Sequence, residues 1–396
     1  MAEIIIADKL RQSVELASGG KQTVLYTPKG QPTFMNVIKK QTMADLFPTL
    51  FPSDTTVHPA FVIGDKTLSQ LYVGTYLGTI KNGELVSQPG TPRNTQATLT
   101  AWRAAAAASG TGHHTMSFTE RALVNALSNK AGYNPLGLGA YGIVDSGDTS
   151  LYGLRTDKKA PGDTSSKSDV YNGSGPRQVR HDNSFTGISD VSLGTAYQDA
   201  TTEGIHQHVA GIRMFDGEIQ FLVNNDYAAV TDLTLLSTAS RDAAWKALDG
   251  TTGNFITPTY ATDTSGNVTS TTTDSVKIVA SGTYMVAGLN TSMPANTIST
   301  TGNWNSFNNM CHNVSDAALK VLKMYGLYPY GNELTIATNA EAIRSINLVP
   351  QRGKVGTFAR LVGFASIHGY AMYLAEDATT MRGVCRPAYY SPADLS

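Results

Sequence analysis

The residues best suited to metal chemistry are two histidine pairs, His113-His114 and His206-Gln207-His208. In a strand an H-x-H triplet puts both imidazoles on one face, an arrangement that can hold Zn²⁺. No third ligand stands at a recognisable spacing, so these histidines are expected to be hydrogen-bonded strand residues, and no metal is expected. Asp182, Asp190, Asp199 and Glu203 carry the hard oxygens of which Ca²⁺ takes about six to eight. Their spacing fits no known calcium loop, which leaves them as caps that stabilise loops. The glycine pairs Gly137-Leu138-Gly139 and Gly173-Ser174-Gly175 precede no helix and make no phosphate cradle. Two cysteines, Cys311 and Cys385, lie far apart without metal-like spacing, which excludes a disulfide scaffold and fits synthesis in a reducing cytoplasm.

A recognition surface is the other chemistry the chain offers. Residues 358–377 read FARLVGFASIHGYAMYLAED, and successive strand residues alternate faces. One parity holds Phe364, Ser366, His368, Tyr370 and Met372; the other holds Leu361, Ile367 and Tyr373. Arg360, His368, Tyr370 and Tyr373 are the expected ligand-binding residues, because large side chains with a polar handle anchor interfaces. The alternative is that these aromatics pack against the core or a neighbouring subunit.

These residues need elements to position them. A short helix is expected over 10–16, then strands over 22–26 and 35–38 around the turn Pro28-Lys29-Gly30. One or two helical turns over 43–50 stop before Pro52, and strands follow over 61–63, 70–74 and 76–80. Helix propensity peaks in the five alanines 104–108, in a helix over 98–108 ended by Gly110; they read as a tightly packed helix face. Ser117 and Glu120 form a capping box, and Leu123, Val124 and Leu127 line one face of a helix that runs to about residue 129. Residues 133–180 are rich in Gly, Ser, Asp and Tyr without periodicity, a length of loop that compact domains rarely carry without a use. Asp163, Ser165, Asp169 and Asn172 are the residue types that order such loops through side-chain-to-backbone bonds. Two β-prone runs, 209–215 and 218–223, flank Asp216-Gly217, a strong hairpin signal. Val314, Ala318, Val321, Leu322 and Tyr325 make one face of a helix over 315–325 with Gly326 just past its end. The last strands are expected over 363–374 and 383–389.

With 41% hydrophobic and 15% charged residues and a formal net charge of −1, the chain is globular and lightly charged. No broad basic face is available to neutralise phosphates, so nucleic acid is not an expected partner. The start lacks a basic segment before its short apolar run, so no secretory leader is expected, and no apolar stretch reaches the roughly 20 residues of a membrane span. The expected fold class is α+β, since alternating βαβ units are absent. Four segments are expected. Residues 1–55 form a small N-terminal module, for attachment to a larger assembly or as a packing appendage. Residues 56–223 and 306–396 form the two parts of one domain. Residues 224–305, rich in Thr and Ser, read as a β-rich insertion, with disorder as the alternative.

The order of several motifs carries a resemblance. "GISD" at 187–190, "VAGIRMFDGEIQ" at 209–220, Pro350-Gln351-Arg352-Gly353, Gly363-Phe364 and "RGVCRPAY" at 382–389 resemble the core of phage proteins with a C-type lectin-like fold, distant relatives of the formylglycine-generating enzymes. Val24-Leu25-Tyr26, His58-Pro59-Ala60-Phe61-Val62 and residues 115–120 are similar to the same group in order and spacing. The chain departs from the phage relatives in carrying "EGIHQH" where they have a "GNVWEW"-like sequence. The resemblance implies a C-type lectin-like core and a virion protein made in the host cytoplasm. It further implies contacts with other virion proteins, and binding of a host-surface receptor, protein or glycan, from a tail position. The region 358–377 corresponds to the exposed binding face of such proteins, hypervariable in some. The alternatives are a capsid- or tail-decorating protein without receptor, or an oxidase of the formylglycine class. The oxidase needs a reactive cysteine pair to carry copper, and Cys385 has no second cysteine near it in sequence, so a non-enzymatic protein without cofactor is expected. A symmetric homo-oligomer, a trimer foremost, is expected because multimers cover the edges of a β insertion.

Overall fold

The computed structural model describes residues 2–92, 97–133, 135–138, 141–144, 148–166, 168–191, 207–208, 211–215, 218–222, 245–264, 268–281, 284–289, 306–307, 309–328, 340–341, 347–352, 367–371 and 384–395. They form a mixed structure of helices and strands arranged in several sheets, compatible with the α+β class. Five α-helices occur among the described residues: α1 (Ala2–Ser18), α2 (Met43–Leu46), α3 (Leu99–Ala108), α4 (Phe118–Lys130) and α5 (Asp316–Met324).

The helix starts are set by side-chain caps. Thr98 accepts the N–H of Ala101 at the start of α3, Ser315 that of Ala318 at the start of α5, and Ser117 that of Glu120 in α4. Glu120 returns a bond from its carboxylate to the Ser117 N–H, so the expected capping box is present. Thr42 and Asp45 make a second one at α2. The glycines past α3 and α5 have positive φ, Gly110 at 112° and Gly326 at 61°, and allow the chain to turn away. Two expectations change. The helix expected over 10–16 runs from Ala2 to Ser18. The strand expected over 61–63 is a 3₁₀ turn, Pro59–Phe61, followed by the short strand Val62–Ile63, because the His58 imidazole caps the turn by accepting the Ala60 N–H.

The first sheet has five antiparallel strands in the spatial order Gln22–Tyr26, Pro32–Lys39, Gln70–Gly74, Pro387–Tyr389, His113–Thr115. The strand nearest the C-terminus thus lies between two strands from the first third of the chain. One face of the sheet presents Val24, Ile38, Leu71, Val73 and Ala388, all buried. Part of that face joins a core with Met43, Leu46 and Phe47 around α2, Leu123 and Val124 of α4, and Ile188, so the core runs continuously across position 55. The turn at 27–31 is held by Glu84, which accepts from the Thr27 hydroxyl, the Gln31 amide and the Lys29 N–H. Burial opposes ionisation of Glu84, but those bonds carry its pKa below the ordinary value.

A second core lies on the other side of α4. There Phe118 meets Ala318, Leu322 and Tyr325 of α5 and Ile219 and Phe221 of a hairpin. The hairpin pairs Ile212–Phe215 with Glu218–Leu222, Phe215 opposite Glu218, which leaves the two-residue loop expected from Asp216-Gly217. It belongs to a larger sheet that also takes in Val276–Ser281, Tyr284–Leu289, Asn347–Arg352 and Ile367–Ala371. In the expected insertion, Trp245–Leu248 and Val276–Ser281 are strands hydrogen-bonded to the hairpin, Tyr284–Leu289 pairs with Val276–Ser281, and Tyr260–Thr262 pairs with Val268–Ser270 in a small sheet of their own. In α3, Ala105 and Ala106 pack with Trp102, Leu85 and Cys385, where no larger side chain would fit so close.

Candidate functional site

Of the four expected ligand-binding residues, Arg360 and Tyr373 lie outside the described residues. His368 and Tyr370 are on the strand Ile367–Ala371, opposite Gln351 and Val349 of the antiparallel strand Asn347–Arg352. His208 is also on a strand, Gln207–His208, paired to Asn347–Arg352, while His206 lies outside the described residues. These residues therefore meet on neighbouring strands of the larger sheet. Asp199 and Glu203 lie outside the described residues as well. Among the described residues no group of three or more His, Cys, Asp or Glu is placed to hold a metal ion.

What positions the chain leading into that sheet is a buried clamp of arginines around residues 187–191. Arg386 is fully buried and donates through Nη1 to the Gly74 carbonyl (2.8 Å), and through Nη2 to the carbonyls of Ser189 (2.7 Å) and Asp190 (3.2 Å). Arg180 donates to the Gly187 carbonyl (2.7 Å), its guanidinium 6.0 Å from the Tyr76 ring centre. Arg121, on α4, donates to the Val191 carbonyl (2.6 Å). Four carbonyls within five residues thus point at three guanidiniums from distant parts of the chain. A buried cation costs several kcal/mol unless such partners surround it. Burial lowers the Arg386 pKa to about 10, against the pull of Asp190, so the side chain stays charged at neutral pH.

The rest of the loop is tied in by side-chain caps. Asp190, fully buried and at φ 53°, accepts from the Ser189 hydroxyl (2.9 Å) and the Gly173 N–H (3.2 Å). Asp182 accepts from the Ser184 N–H and hydroxyl, and the His181 Nδ1 accepts the Ile188 N–H. Burial lowers the His181 pKa to about 4, so the imidazole is neutral there, protonated on Nε2. Asn172 donates to the Leu77 carbonyl and the Thr91 hydroxyl, and Asp163 accepts the Ser165 N–H. Under the loop lies a small core of Leu138, Val144, Val170 and Val179. The result is an irregular segment held by side-chain bonds from several parts of the chain.

Cys385 is buried beside α3, and burial pushes its thiol well above the usual range, so it is protonated and shielded. Cys311 is on the strand Asn309–His312, shortly ahead of α5. His114 sits between the Gly112 carbonyl on Nδ1 (3.0 Å) and the Glu120 carboxylate on Nε2 (2.9 Å), a geometry that uses both ring protons of an imidazolium. Burial opposes its charge, but Glu120 outweighs burial and raises the His114 pKa. The clamp was not legible as such in the sequence. Arg121, Arg180 and Arg386 carry the charge that normally marks surface, and only contacts across up to 312 residues show their role.

Compared with protein-family models and with curated proteins, the chain matches none of either. Among the described residues no helix is long and apolar enough to cross a membrane.

Proposed function

We propose that the chain is a non-enzymatic phage virion protein with a C-type lectin-like core that binds a host-surface receptor through residues 358–377. The observation that carries this reading is the return of the strand Pro387–Tyr389 into the first sheet, between Gln70–Gly74 and His113–Thr115. Two helices, a long ordered loop and a late closing strand follow in the order that the motif resemblance implies. The "GISD" run lies in the arginine clamp, and the "RGVCRPAY" run supplies Arg386 to it. A clamp of this kind keeps a binding surface rigid, which lowers the entropy lost on association. The burial of Cys385 counts against the oxidase alternative, which needs an accessible cysteine pair.

The test is made on purified particles and on the isolated chain. Gold-labelled antibody against the chain is expected to mark the distal end of the tail, and soluble chain to compete with particles for adsorption to host cells. In the Tyr370→Ala/Tyr373→Ala double variant, competition should weaken by at least about 30-fold, near 2 kcal/mol, with an unchanged melting temperature. Label confined to the capsid, with no competition by the wild type, would replace receptor binding by decoration.

A further inference from the structure

The face of the first sheet opposite its core carries a feature that the receptor reading does not use. Alternation puts Leu25, Val37 and Tyr72 on this face, each partly covered, with Val37 opposite Tyr72 and Leu25 farther along, opposite Thr33. The last turns of α1 stand over the edge of these strands and leave a groove between helix and sheet. Its floor is Leu25, Val37 and Tyr72; its wall is Arg11, Gln12 and Glu15 of α1. Gln12 and Glu15 also line a second depression, which reaches Gly19 and Gly20.

The groove opens onto a row of aromatic rings. Tyr72 lies 5.4 Å from Tyr389, and Tyr389 lies 4.7 Å from His113, ring centre to ring centre, so three strands contribute one ladder across the sheet. All three rings are partly exposed. The polar groups beside the ladder are held in place. Glu15 accepts the Thr23 hydroxyl (2.6 Å), which fixes its carboxylate over the first strand, and the Gln70 amide donates to the Tyr72 hydroxyl. Lys39 in turn donates to the Gln70 carbonyl oxygen, so the row from Lys39 to Tyr72 is one hydrogen-bonded chain.

A ligand that fits must have apolar faces for the rings and hydroxyl groups at its rim for planar carboxylate and amide groups. It must also be elongated, because ladder and groove are. We infer that this groove binds a saccharide chain: pyranose faces stack on Tyr72 and Tyr389, and their vicinal hydroxyls bond Glu15, Gln12 and Gln70. A peptide strand is the poorer fit to the rings, because Tyr72 and Tyr389 are on strands already paired on both sides, and the edge strand at the groove, Gln22–Tyr26, is the one against which α1 packs. The groove is built from residues 11–72 with Tyr389 and His113, and it owes nothing to residues 358–377.

The probes are maltohexaose, chitohexaose and isomaltohexaose, titrated against the isolated full-length chain with saturation-transfer NMR as readout. At least one should receive saturation on its ring protons. Tyr72→Ala and Gln12→Ala should each weaken that binding by about tenfold or more, near 1.4 kcal/mol or above. Gln12 is exposed, so Gln12→Ala is the variant that decides if Tyr72→Ala does not fold. Tyr370→Ala/Tyr373→Ala should leave saccharide binding unchanged, which separates this site from the proposed receptor face. Absence of transfer to all three probes overturns the inference, as does transfer that survives in a folded Gln12→Ala variant. Saccharide binding lost only in the Tyr370→Ala/Tyr373→Ala variant overturns it too, and assigns the sugar to the other face.

Discussion

At the scale of single residues, the most consequential side chain is Arg386. Truncation would leave the carbonyls of Gly74, Ser189 and Asp190 buried without their donor, and each orphaned group costs about 1–3 kcal/mol. Arg386→Met keeps much of the volume and is therefore expected to lose about 3 kcal/mol or more in urea unfolding. A loss under about 1 kcal/mol would mean that water replaces the guanidinium and that the clamp is ornamental. Histidines supply a second residue-scale prediction. Burial lowers the pKa of His58 to about 3 and of His113 and His181 to about 4, below the ordinary 6.5. His58 is neutral there, its Nδ1 accepting from Ala60 and its Nε2–H donating to the Met324 carbonyl (2.9 Å). Such a group takes up its proton preferentially when unfolded, so its stabilising effect is complete above about pH 6.5 and is lost as pH falls toward 3–4. His114 has the opposite sign: its raised pKa stabilises below about pH 6.5, and that part fades as pH rises. Glu120, its partner, loses its contribution below about pH 4.5, because its pKa is lowered despite burial. The unfolding free energy should therefore drop on going from pH 7 to pH 4.5 by about 3 kcal/mol or more, on the order of one pKa-unit equivalent from each neutral histidine. His58→Gln should flatten that slope. A pH-independent value across this range would show that these imidazoles are hydrated.

At the scale of elements, glycines that share a positive φ but not their surroundings separate backbone strain from crowding. Gly112 has φ 86°, and a Cβ there would come within 2.2 Å of the Tyr390 carbonyl, so Ala would force the segment after Tyr389 away from His113–Thr115. Gly64 has φ 60° and open space around it. Gly64→Ala is expected to cost about 1 kcal/mol from conformation alone, and Gly112→Ala at least twice that, measured as shifts in the urea midpoint. Equal costs would mean that the C-terminal segment yields freely. Elements announced by local chemistry were legible in the sequence: α3 by its alanines and Gly110, α4 by its capping box, α5 by its apolar face and Gly326, and the hairpin of Ile212–Phe215 and Glu218–Leu222 by the Asp216-Gly217 pair between two β-prone runs. Elements without a local signal were not. Ile4-Ile5-Ile6 is a run and not a helical stripe, so the first turns of α1 were missed. The 3₁₀ turn at Pro59 depends on an imidazole cap that no propensity scale anticipates. The candidate binding residues were legible as types only; His368 and Tyr370 are placed on a strand, while Arg360 and Tyr373 lie outside the described residues.

At the scale of the whole molecule, α4 sits between the two cores, with Phe118 in one and Leu123 and Val124 in the other. The segments on either side of the chain are further joined by the Lys320–Asp54 ion pair and by His58 on the Met324 carbonyl. Helix α5 thus docks on the N-terminal region, and the molecule should unfold in one transition by calorimetry and circular dichroism alike. The proposed assembly is a symmetric trimer. Sedimentation at micromolar concentration is expected to give about three times the mass of 42.1 kDa, and a stable monomer would sink that expectation.

The position of Pro387–Tyr389 also dictates when the protein can exist as a folded body. Until residue 389 has left the ribosome, Gln70–Gly74 and His113–Thr115 each expose an unpaired edge toward the other, and Arg386 has not reached Gly74 and Ser189. The first sheet therefore cannot close before that strand has emerged, however early its other strands pair. At a synthesis rate of about 5–20 residues per second, the strand Gln70–Gly74 waits on the order of 15–60 seconds for its neighbour. The slow step of folding is therefore expected to be a contact across more than 300 residues, and the nascent chain that awaits it is the state most exposed to aggregation and proteolysis.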